Sequence, residues 1–169
     1  MKRFAIFVAL FLTSHIGARP ALAGIVDTPL PTLVAGKKTL HVYSVSGVGG
    51  GAGGLFGTYF SCTSTDTATI QVGVEVFHYL GGGPQNDVVA TSLAVAPGQT
   101  VLFGAGGGAA GIVNVQSNLG DGGVVLGSAR ILATSKKLVC SAFLAERTSA
   151  PPISMVYLTI VKKTTQKGQ

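Results

Sequence analysis

Thr69-Ile70-Gln71-Val72-Gly73-Val74-Glu75-Val76-Phe77-His78-Tyr79 is the stretch whose period decides the fold. Ile70, Val72, Val74, Val76 and His78 fall on one side of a chain that changes face at every residue, and Thr69, Gln71, Gly73, Glu75, Phe77 and Tyr79 fall on the other. A period of two with one strongly apolar side marks a half-buried β-strand. Working outward, β-prone runs recur over 40–46, 58–63, 88–95, 100–104, 112–116, 124–134, 137–145 and 153–161. Turn clusters separate them, among them Gly81-Gly82-Gly83-Pro84, Ala96-Pro97-Gly98-Gln99, Gly120-Asp121-Gly122-Gly123 and Ser135-Lys136-Lys137. No segment after residue 24 reads as a long capped amphipathic helix. About eight or nine short strands without βα alternation predict an all-β fold, a two-layer antiparallel sandwich.

At the N-terminus Lys2 and Arg3 precede an apolar run over 4–12, and Ala21-Leu22-Ala23 follows as a small-residue cleavage site before Gly24. This predicts a secretory signal peptide over 1–23. The run is too short to cross a bilayer as a helix, and no later stretch is long enough, so no transmembrane span is expected after cleavage. Residues 24–38 read as an extended segment, 39–161 as the sandwich and 162–169 as a basic tail.

The leader changes the meaning of the charge. Of 12 Lys+Arg against 6 Asp+Glu, Lys2, Arg3 and Arg19 leave with it, and Lys162, Lys163 and Lys167 lie at the C-terminal end. The body between is formally neutral, which removes the case for nucleic-acid binding that a basic chain ordinarily makes. With 47% hydrophobic and 11% charged residues, the chain has enough apolar side chain to offset ordering entropy. Its 25 glycines have no collagen period.

Cys62 and Cys140 each sit in a β-prone context, without CxxC spacing or a nearby His. In an oxidising compartment such a pair predicts one structural disulfide.

The run Ser92-Leu93-Ala94-Val95-Ala96-Pro97-Gly98-Gln99-Thr100-Val101-Leu102-Phe103, strand then Pro-Gly turn then strand, resembles the hairpin of immunoglobulin-like modules in secreted bacterial proteins. The resemblance implies an immunoglobulin-like sandwich and no particular activity. The Trp that marks antibody-type domains is absent.

Candidate chemistry is sparse. The glycine runs at 49–54 and 106–111 match G-x-G-x-x-G, but neither opens a helix, so they read as loops and no cofactor is expected. His41 and His78 lie within strands, no G-x-S-x-G elbow accompanies them, and no catalytic residue is assigned. Glu75 and Glu146 are the only glutamates. Asn86-Asp87 and the loop at 118–121 carry oxygen donors that turn chemistry explains better than calcium, and no metal site is expected. Phe77 and Tyr79, on the polar side of the quoted strand, form a candidate contact patch if that side is open and core if it is covered. Lys162, Lys163 and Lys167 are candidates for contact with an anionic surface or polymer. The sequence thus reads as a secreted or periplasmic, non-catalytic structural or interaction module, its partner a protein or envelope component. Alternatives are a strand-exchanging assembly subunit and a small hydrolase assembled around His41 or His78.

Overall fold

The computed structural model describes residues 24–50, 54–106, 115–120, 126–149 and 151–163. The leader read at 1–23, most of the two glycine motifs, Asp121 and Lys167 lie outside the described residues. The elements in chain order are β1 (Leu40–Val48), β2 (Phe56–Ser64), β3 (Ile70–His78), α1 (Val88–Thr91), β4 (Leu93–Val95), β5 (Thr100–Ala105), β6 (Ser117–Asn118), β7 (Gly127–Ala133), β8 (Leu138–Glu146), β9 (Met155–Tyr157) and β10 (Ile160–Lys162).

Two five-stranded sheets result, ordered β10-β1-β7-β3-β4 and β6-β5-β2-β8-β9. Every pairing is antiparallel except the short β5–β6 contact. The apolar side of the deciding stretch turns inward, with Ile70, Val72, Val74 and Val76 all buried. One continuous core joins these to Val45 of β1 and Ile131 of β7 and, from the other sheet, to Phe60 of β2, Phe103 of β5 and Ala142 of β8. The sheets therefore close face to face over a shared apolar layer, as two half-apolar sheets must.

Cys62 and Cys140 are joined as a disulfide. They stand opposite each other on the neighbouring strands β2 and β8, with Cα atoms 4.2 Å apart. The bond thus ties two strands within one sheet. In the chain-entropy view, a crosslink spanning 78 residues contributes about 4–5 kcal/mol by restricting the unfolded chain.

Of the run 112–116 only residues 115 and 116 are described, and they lie outside any strand; two further stretches depart from the sequence reading. The run 88–95 is not one strand: Asp87 Oδ1 accepts from the amides of Val89 and Ala90, and this cap starts the helical turn α1 before β4 begins. The run 153–161 divides into β9 and β10, which belong to different sheets.

The polar side of β3 is covered, which corrects the reading of Phe77 as a contact residue: Phe77 is buried. Three features do the covering. Gly73 lets α1 approach closely, since a Cβ there would lie 2.6 Å from Val88 Cγ2. Leu33, Val88 and Leu132 form a second small core outside the sheet. Above Glu75 and Phe77 lies the guanidinium of Arg130, which stands opposite Glu75 in the β3–β7 register.

Arg130 and Glu75 are almost completely buried, 1% and 3% exposed, and they pair through Nε and Oε2. The other Arg130 nitrogens donate to the carbonyls of Thr28 at 2.7 Å, Pro29 at 2.9 Å and Ile25 at 3.3 Å. Residues 24–39 are thereby held as a strap across the outer face of the sheet. The amide of Leu33, donating to Thr39 Oγ1 at 3.2 Å, closes its far end. Such a pair adds little net stability over an apolar one, but removing one partner strands a buried charge. Arg130→Met is therefore expected to cost about 3–5 kcal/mol, while Glu75→Leu combined with Arg130→Met recovers only the part due to the stranded charge, since the strap carbonyls still lack their donors. Urea unfolding of the three proteins checks this, and a single variant as stable as the parent contradicts it.

Candidate anion-binding groove

A groove of about 680 Å³ lies between the strap and the β1–β10 edge. Leu30, Lys38 and Thr39 line it from the strap, Leu40, His41 and Ser44 from β1, Lys136 from the β7–β8 turn, and Val161, Lys162 and Lys163 from the C-terminal strand and its end. Four lysines and no carboxylate are among these residues.

A local irregularity builds its floor. His41 pairs with Leu132 and Tyr43 with Ile131, so β1 carries one extra residue at Val42, a β-bulge. In an unbroken strand, residues three apart point to opposite faces. The bulge resets the alternation and brings Ser44 Oγ to 3.0 Å from His41 Nε2. The same extra residue fixes the C-terminal strand, because the Val42 carbonyl accepts from the Lys163 amide at 2.7 Å. Register then places Val161 opposite Ser44 and Lys162 opposite Tyr43, with the Lys162 ammonium 5.8 Å from the Tyr43 ring centre. Tyr43 is anchored in turn by its hydroxyl, which donates to the Leu138 carbonyl at 2.5 Å.

The electrostatics favour a neutral His41. Burial pushes its pKa below the ordinary value, and the positive charges of Lys163 and Arg130 push the same way. Its Nε2 also lies 3.0 Å from the Tyr43 carbonyl, an atom that only accepts, so the ring proton is directed there. A ring nitrogen donating to that carbonyl has no lone pair with which to take a proton from Ser44. Asp66 is held at about 2 by the Ser135 hydroxyl, the Thr67 amide and Lys137, and it lies outside the groove.

The remaining sequence candidates distribute as follows. Lys162 and Lys163 are exposed, and the fold gathers them with Lys38 and Lys136 of the formally neutral body. Lys162 belongs to β10 and is thus part of the sheet, not of a tail. Tyr79 is 60% exposed but is separated from the buried Phe77, and it rests instead on the His78 ring at 4.4 Å. His78 Nδ1 accepts from the Leu80 amide at 3.2 Å. Asn86 spends its side chain on the edge of β3, accepting from the Val76 amide at 2.9 Å and donating to the Val74 carbonyl at 2.8 Å. With Asp87 committed to the α1 cap, that loop is explained by backbone bonding. Glu146 is engaged with Thr148, Ser149 and the Ile153 amide. Among the described residues no group of three or more His, Cys, Asp and Glu is placed to hold a metal ion, and no helix is long and apolar enough to cross a membrane.

Comparisons with protein-family models, with curated proteins and with solved structures find no match.

A depressed His41 pKa makes stability depend on pH with a definite sign. Below the ordinary value of 6.5 the unfolded chain takes up a proton that the folded chain resists. Stability therefore falls as the pH drops from about 6.5 through the folded pKa, then levels off once both states are protonated. His41→Gln is expected to flatten this part of the profile, whereas the Asp66 contribution is lost only at far lower pH, between 3.8 and about 2. Urea unfolding of both proteins across this range is the check, and parallel profiles contradict the assignment.

Proposed function

We propose that the protein is an exported, non-catalytic immunoglobulin-like module of the secreted or periplasmic space, and that its contact face is the lysine groove. The observation that carries the reading is the convergence of Lys38, Lys136, Lys162 and Lys163 on one concavity, with no carboxylate among its described lining residues. Like charges so gathered raise the local positive potential, and a groove concentrates their field on an approaching anion. The disulfide supports an oxidising compartment.

Strand connectivity supports the immunoglobulin-like assignment. Taking β1, β2, β3, β7, β8 and β9 as strands B to G of such a domain reproduces the orders B-E-D and C-F-G in the two sheets. Strands β4 to β6 then form an insertion between D and E, and the C-terminal β10 occupies the edge beside β1 that an N-terminal strand would take. The disulfide departs from the antibody pattern, since it joins strands C and F of one sheet instead of bridging the two sheets.

Two other readings have a specific observation behind them. Met155, Val156 and Tyr157 of the edge strand β9 are all exposed, which suits strand sharing. The Ser44–His41 contact suits a hydrolase, but the proton held toward the Tyr43 carbonyl leaves Ser44 without a base, and among the described residues no carboxylate lines the groove to orient the ring. The lysine groove carries more because separate segments of the fold converge on it.

The test is binding of inorganic polyphosphate, followed by isothermal titration. Binding is expected at low ionic strength and is expected to weaken steeply toward physiological salt as the lysines are screened. No heat at low ionic strength contradicts the reading.

A further inference from the structure

Within the basic rim the groove carries a second kind of surface. Val161 is 58% exposed and Leu30 is 44% exposed, and both line the groove alongside the lysines. Val161 faces outward beside Ser44 on the edge pair β1–β10, while Leu30 directly follows Pro29, whose carbonyl Arg130 holds. The two aliphatic side chains are thus displayed from anchored backbone on either side of the groove, and Leu40 adds a half-buried third. A soluble polyanion has no use for exposed aliphatic groups, which cost free energy when left in water. A bilayer of acidic lipids uses both: its headgroup charge attracts the lysines, and the acyl boundary takes up the aliphatic tips.

We propose that the lysine groove is a docking site for an anionic lipid surface, with Lys38, Lys162 and Lys163 engaging phosphate headgroups and Val161 and Leu30 entering the headgroup–acyl boundary. This rests on the anion-binding reading above and names its source. It also orients the domain: the β10 edge meets the membrane and the β9 edge belongs to the opposite sheet.

The experiment compares co-sedimentation with vesicles of phosphatidylcholine alone and of phosphatidylcholine containing phosphatidylglycerol. The protein is recovered after secretion, with its N-terminus read by mass spectrometry, and inorganic polyphosphate binding is measured in parallel. Binding is expected only to the phosphatidylglycerol vesicles. Lys162→Gln with Lys163→Gln should weaken it roughly twenty- to thirty-fold, about fivefold for each lysine. Val161→Ser with Leu30→Ser should weaken vesicle binding several-fold and leave polyphosphate binding unchanged, which separates the aliphatic contribution from the charge. Far-ultraviolet circular dichroism and thermal melting confirm that each variant is folded; these four side chains are solvent-exposed, so their replacement leaves the core intact. Polyphosphate binding without vesicle binding overturns the lipid proposal and leaves the anion-binding reading standing. Failure of both overturns both. Vesicle binding that the groove substitutions do not change places the contact elsewhere and overturns the proposal.

Discussion

A guanidinium taken out of water must find a partner for its N–H groups and a negative charge for its own, and Arg130 finds them in two places at once. Glu75, directly across the β3–β7 ladder, supplies the charge. The carbonyls of Ile25, Thr28 and Pro29 supply the rest. A residue of the sheet is thereby bonded to a segment more than a hundred positions earlier in the chain. What would otherwise be the solvent face of one sheet becomes an interior lined by Phe77, Leu33 and Leu132. The groove depends on the same contact, because the strap carries Leu30, Lys38 and Thr39 to its near wall.

The opposite wall depends on the bulge at Val42. One residue too many on β1 turns His41 and Ser44 to the same face and leaves a carbonyl free to fix Lys163. Bulges re-aim side chains at sheet edges, and here the re-aimed pair forms the floor beneath a ring of ammonium groups. Burial, with the charges of Lys163 and Arg130, lowers the His41 pKa and favours the neutral ring, so the groove's positive field comes from its lysines. The strap and the bulged edge strand are built by different parts of the chain, and only the closed sandwich brings them together.

Some of this is legible in the sequence and some is not, for identifiable reasons. The alternation of Ile70, Val72, Val74 and Val76 survives in the structure because each inward position is apolar and no extra residue interrupts β3. The Cys62–Cys140 pairing follows from there being only two cysteines available to each other. The pairing of Glu75 with Arg130 has no such signal, because it requires the register between strands separated by 55 residues. Phe77 and Glu75 alternate with valines as solvent-facing residues would, and nothing local to β3 announces the strap that covers them. Val88 and Val89 are β-prone, so the short helix there depends on the Asp87 cap and on the packing of Val88 against Leu33 and Leu132. Lys162 and Lys163 stand out as a charged end, but their meeting with Lys38 and Lys136 is a property of the sheet edge. The residue types around Val42 give no mark of a bulge, which shows only in the register and in the burial of the adjacent Val42 and Tyr43 together.

The dependence of the structure on the strap is tested most directly by amide hydrogen exchange resolved by residue. If Arg130 makes the strap part of the folded unit, the amides of Thr28 and Leu33 open only with the sheet and exchange on the same timescale as that of Ile131 in β7. Exchange of Thr28 and Leu33 at the rate of an unstructured peptide, with Ile131 still protected, would contradict the account.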